Sequence, residues 1–465
     1  MTNKNKLAHS FKSAWQVMDK KETQKAMNFC EDYKTFLNNK TERTCAADIV
    51  KRAQKRGFVS IESVINTGKP LKEGQKIFAL NREKSVILFV IGEKKLEQGM
   101  HIVGSHIDAP RLDLKPFPLY EDSEMAFLKT HYYGGIKKYQ WTTIPLEMHG
   151  VVFTEDDKKV DINIGASDDD PIFTISDLLP HLGKDLNQKK LGEAITGEAL
   201  NVIIGSIPLK DEDKDAIKLN MLNILHQKYD IKEIDFTTSE IEIVPAGKAR
   251  DLGLDRSMVH SYGQDDRVCS YAGLQAIFDI DSPKKTAVGM FMDKEEVGSQ
   301  GNTGSQSAYF EHCLAELIAL QGNISILSVR RALAKTQVLS ADVGAAYDPN
   351  YASAYEKQNS AHLGKGILLA KYTGARGKGG CNDANAEFVS EVTRIFNNAQ
   401  VTWQIGELGK VDQGGGGTIA YILANAGADV IDCGTPVISM HAPYEVTSKA
   451  DVYMSYKAYN AFLDR

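Results

Sequence analysis

The 465-residue sequence has no C-x-x-C pair; its six cysteines, Cys30, Cys45, Cys269, Cys313, Cys381 and Cys433, are scattered. That argues against a disulfide framework or a zinc finger, and for free thiols in a reducing compartment. No block of basic residues is present and the formal net charge is −6, so neither nucleic acid nor an anionic membrane is an expected partner. No stretch approaches the roughly 18 uninterrupted apolar residues of a membrane span. The opening "MTNKNKLAHSFKSAWQVMDKKETQ" has no apolar core of signal-peptide type. The expectation is a soluble, cytoplasmic protein. Internal repeats, low-complexity tracts and a G-x-x-x-x-G-K-[ST] phosphate loop are also missing.

What is present has the texture of an enzyme in several parts. The length suits roughly three domains, or two large ones. Residues 8–36 carry helical apolar spacing (Phe11, Trp15, Met18, Phe29, Tyr33, Phe36), and two short apolar runs predict buried strands at 86–91 and 101–106. Between Leu119 and Val244 short alternating segments such as "EMHGVVF" and "KVDINIG" sit among charged loops, which reads as an inserted β-rich domain. From about Ala246 helical and strand patterns alternate through "RVCSYAGLQAIFDI", "TAVGMFMD", "SQSAYFEHCLAELIALQG", "QVLSADVG" and "ADVIDCG". This predicts a layered α/β domain with a largely parallel sheet, whose ligands gather at the carboxyl ends of its strands.

Residues able to bind a metal follow those strands. His106 and Asp108 come at the end of the strand at 101–106, Glu295 and Glu296 follow the strand at 286–292, Asp342 ends the next, and the run from Pro436 ends at His441; Asp265 and Asp266 begin a helix. One His at a strand end is more often a satisfied surface group, and one Asp before a helix is usually a cap. Those bland readings would have to hold at five places together. Imidazole and carboxylate suit zinc, or cobalt or manganese in similar sites. Two histidines and four or more carboxylates exceed one tetrahedral ion, which fits two ions sharing a bridging carboxylate. Asp108 can accept the second ring N–H of His106. Of the adjacent glutamates, one can bind metal while the other takes a proton from water.

"GSHIDAPRLDLKP", "DKEEVGSQG", "SADVGAAYDPNY" and "SMHAPYEVTSKAD" together closely resemble the M18 family of metallo-aminopeptidases, most of all its bacterial aminopeptidase 1 group. The resemblance runs through nearly the whole chain. It implies two zinc ions per subunit, His106 and Asp342 holding one, Glu296 and His441 the other, Asp265 bridging, Glu295 as general base and Asp108 supporting His106. Asp266 stands where eukaryotic relatives tend to have Asn and is not counted as a ligand. The implied architecture is a zinc-peptidase α/β/α sandwich (1–117 and 246–465) interrupted by a β-rich dimerisation domain (118–245). Subunits would assemble through dimers into a tetrahedral dodecamer acting on peptides.

His181, in "ISDLLPHLGKD", reads alone as a structural or surface residue. In the family a His in this Pro-His setting reaches into the neighbouring subunit's active site and can stabilise the oxyanion. The Gly414–Gly417 run reads as a tight turn or a place where backbone approaches substrate, and Cys269 and Cys381 as incidental. Two other readings stand beside the peptidase: a related amidohydrolase or deacylase, and a non-enzymatic self-assembling cage. Where aspartyl aminopeptidases tend to carry His before "PNY", this chain has Asp348, so the preferred N-terminal residue stays open.

Overall fold

The structure is a computed structural model that describes residues 7–322 and 325–465. It divides into two compact units: residues 1–108, 249–440 and 445–465 form the first, and residues 109–248 with 441–444 the second.

The first unit is built on a nine-stranded sheet. Its order is Val59–Ser60, Lys76–Asn81, Ser85–Val90, Thr286–Met292, Met100–His106, Gln337–Ser340, Asp429–Gly434, Ile367–Ala370 and Trp403–Ile405. Every residue of Met100–His106 and of Thr286–Met292 is buried, as expected of strands covered on both faces. Alternation divides the side chains of these two strands and of Gln337–Ser340 between two cores. Val103, Ala287, Phe291 and Leu339 meet helices Lys20–Phe36, Gln264–Phe278 and Lys449–Leu463 on one side. Ile102, Val288, Met290 and Val338 meet Tyr309–Leu320 and Ile326–Ala334 on the other. The result is helix, sheet, helix.

Four neighbouring strands of this sheet run parallel: Met100–His106 pairs with Thr286–Met292 and with Gln337–Ser340, which pairs with Asp429–Gly434. Their carboxyl ends therefore lie along one edge, with Met292 opposite His106 and Ser340 opposite Gly104. That register decides where the chemistry falls. At Gly434 a Cβ would lie 1.7 Å from the Asp342 carbonyl oxygen, so only glycine lets that strand pass Asp342.

The second unit is a six-stranded sheet, antiparallel at every pairing: Lys159–Ile164, Leu146–Phe153, Ser239–Pro245, Arg111–Asp122, Met125–Tyr133 and Val202–Gly205. Helix Ala216–Tyr229 packs its Ile217 and Met221 into a separate core with Leu112, Leu128 and Ile243. Among the described residues no helix is long and apolar enough to cross a membrane.

Candidate metal centre

His106 ends its strand 1 % exposed, with the two ring nitrogens facing different partners. Nδ1 lies 3.1 Å from the Asp108 carbonyl oxygen and 3.3 Å from its Oδ1. The backbone carbonyl is thus the nearer acceptor for the ring N–H, and it leaves Nε2 turned to a group of acids. Asp265 Oδ1 is 3.2 Å from Nε2, while Glu295 Oε2 and Asp342 Oδ1 are each 3.8 Å away.

The Asp108 carboxylate acts on a second segment as well. Its Oδ1 accepts the N–H of Glu295 and its Oδ2 the N–H of Glu296, each at 3.2 Å. Those glutamates sit in a single turn, Glu295–Val297, bracketed by left-handed Lys294 (φ 68°) and Gly298 (φ 92°). Two backbone donors converging on one buried carboxylate fix the turn against the end of the central strand.

Two groups of potential ligand atoms result, each with all atoms within 4.8 Å: His106, Asp265 and Glu296, and His106, Asp266 and Asp342. The donor set fits a dication. One imidazole among so many carboxylates cannot be ionised throughout without positive charge between them. The electrostatics say the same. Burial pushes the Glu295 carboxyl up to about 8, Asp342 adding to the rise and His106 opposing it. Burial alone would lower His106, yet hydrogen bonds with Asp108, Asp265 and Asp342 carry it well above the usual imidazole range. A proton there does part of what a cation would do for all of them.

Residues 36–463 match the family model described as aminopeptidase I zinc metalloprotease (M18). The chain belongs to the M18 family. It is accordingly related to hydrolases of the zinc metallo-aminopeptidase class. It is 52 % identical over 462 residues to a probable M18 family aminopeptidase 1 of Clostridium acetobutylicum, covering 99 % of each chain. It superposes on the crystal structure of an M18 aminopeptidase from Thermotoga maritima with a TM-score of 0.94, at 43 % identity and covering 98 % of this chain and 100 % of that one. A yeast relative solved as a dodecamer, from Saccharomyces cerevisiae, shares the fold at a TM-score of 0.73 and 18 % identity, over 94 % of this chain and 95 % of that one.

In this M18 chain the structure brings together His106, Asp108, Asp265, Glu295, Glu296 and Asp342. Asp266 joins one ligand group, but its Oδ2 accepts the His106 backbone N–H at 3.3 Å, and burial followed by the charge of Asp342 pushes its carboxyl well up. Sequence reasoning missed Glu445, 1 % exposed, whose Oε2 accepts the Asp265 N–H at 3.0 Å. No local pattern marks such a residue, because its partner is a backbone group 180 positions away. His441 lies in the short segment grouped with the second unit, in left-handed conformation (φ 64°), with Nδ1 3.0 Å from the Gly135 carbonyl oxygen. His181 occupies an exposed turn, Pro180–Leu182, of that same unit.

Proposed function

We propose that the chain is a dinuclear zinc aminopeptidase that removes the N-terminal residue of peptides. His106 and Asp342 would hold one ion, Glu296 and His441 the other, and Asp265 would bridge. The observation that carries this reading is the meeting of His106 Nε2 with Asp265, Glu295 and Asp342 within 3.8 Å. Two ions bound there would polarise the scissile carbonyl and acidify the attacking water. Glu295, held in its turn by Asp108, takes the proton from that water and delivers it to the departing amine. Asp108 fixes the ring of His106 through its carbonyl and the glutamate turn through its carboxylate. Glu445 holds the Asp265 backbone.

The zinc-loaded protein should hydrolyse aminoacyl anilides with a free α-amino group and leave N-acetyl amino acids intact. Cleavage of the N-acetyl series alone would replace the peptidase with the deacylase reading.

The same proposal includes assembly through dimers into a dodecamer, with the second unit as the dimerisation domain and His181 serving a neighbouring subunit. The apolar surround supports this, for Leu178, Leu179 and Leu182 are 45 %, 49 % and 65 % exposed beside it, an arrangement that favours contact over solvent. Loss of one oxyanion donor typically costs about 10²–10³ in kcat. His181→Ala should therefore depress kcat by that order, with KM, oligomer size and metal content little changed. Mixing supplies the sharper measurement: Glu295→Gln subunits dissociated and reassembled with His181→Ala subunits should regain activity. Mixed oligomers without recovery would confine His181 to its own subunit.

A further inference from the structure

The strand that delivers His106 begins beside another histidine. His101 lies five residues earlier, roughly 17 Å away at the strand rise of about 3.3 Å per residue, and it lines a pocket of about 480 Å³. Lys94, Lys284, Lys285 and Arg465 line the same pocket. Their charges face one lining carboxylate, Glu391, which pairs with Arg465 at 3.0 Å. A chain of net charge −6 has thus gathered four cations at the amino-terminal edge of its sheet.

His101 holds the pocket's arginine in place. The residue is 3 % exposed, and its Nε2 lies 3.2 Å from Arg465 Nη2. A guanidinium only donates, so Nε2 accepts and the ring proton sits on Nδ1. Nδ1 is buried and has no hydrogen-bond partner among the described residues. Burial pushes His101 down to about 3, with Arg465, Lys285 and Lys94 adding to the effect, so the ring stays neutral. Burial, then Arg465 and Lys94, also hold Lys285 below the usual lysine range. Among the described residues Lys94, Lys284 and Lys285 form no ion pair, since the one lining carboxylate is engaged by Arg465.

We propose that this pocket binds a small tetrahedral oxyanion of the phosphate type, with Lys94, Lys284 and Lys285 as its charge partners and Arg465 held beside it by His101 and Glu391. The site stands at the opposite end of the strand from the metal centre and is independent of the chemistry assigned there.

Two measurements on the zinc-loaded protein test it. Inorganic phosphate, titrated calorimetrically, should bind the parent chain, and its affinity should fall about tenfold or more for each charged donor removed in Lys94→Gln and Lys285→Gln. Neither lysine belongs to the metal centre, so unchanged kcat without phosphate confirms that both variants are folded. Tungstate soaked into crystals of the unmodified chain should give an anomalous peak within hydrogen-bond reach of Lys94 Nζ and Lys285 Nζ. Equal phosphate affinity in parent and variants, or tungstate found only near His106, would overturn the proposal. The crystal result decides even if a variant folds poorly.

Discussion

Replacing Glu295 by glutamine should lower kcat by about 10²–10⁴-fold, the usual contribution of a general base, with metal content unchanged. The substitution keeps the side chain's size and its place in the turn, and the backbone N–H still reaches Asp108 Oδ1. What disappears is the ability to accept a proton. The pH profile gives an independent reading. A base must be ionised to act, so the rate rises with pH as Glu295 loses its proton and levels off above. In the metal-free chain burial pushes that carboxyl up to about 8, and nearby cations would bring it down again, since opposite charge favours the ionised form. The parent enzyme should therefore show an acidic limb that moves with the identity of the metal, and Glu295→Gln should lack it. A metal-replete variant with near-parental kcat would sink the assignment.

Stripping the protein of metal should abolish activity, and zinc should restore it. Polarising a carbonyl and acidifying water are each worth several kcal/mol, beyond what Glu295 alone supplies. Elemental analysis of the loaded protein should find two divalent ions per chain. A second effect needs no substrate. Ligands that bind only the native state stabilise it by about 2.7 kcal/mol at a hundredfold excess over Kd, so the chelated chain should melt at lower temperature. Full activity in the presence of chelator, or an unchanged melting temperature together with a metal-free analysis, would exclude the mechanism.

The strands that build this site were legible because each is buried on both faces. Thr286–Met292 is apolar after its first residue, and no helical period competes with it. The acids following those strands were legible as a set, since parallel order brings strand ends together. Other elements were masked. Helix Lys449–Leu463 buries Lys449, Asp451 and Ser455 among its apolar residues, which blurs the amphipathic pattern. Asp451 is inside because its two oxygens accept the N–H groups of Gly364 and Gly366, each at 2.7 Å. Helix Ala216–Tyr229 lies within a stretch that reads from sequence as strands and charged loops; only Ile217 and Met221 are buried along it. Supports such as Glu445 answer distant backbone donors, and sequence spacing carries no trace of those.

The position of Met100–His106 in the sheet also bears on how the protein is made. Both its neighbours, Thr286–Met292 and Gln337–Ser340, are encoded about 180 residues or more downstream, with residues 109–248 of the second unit in between. On a chain growing from its N-terminus, this strand has no partner on either side until most of the polypeptide has been synthesised. Pairings of such long range close slowly, after their loop entropy has been met. The residues proposed as ligands therefore come together late, and a chain ending before residue 286 lacks both strands that flank His106. The connectivity itself delays proteolytic competence until the fold is nearly finished.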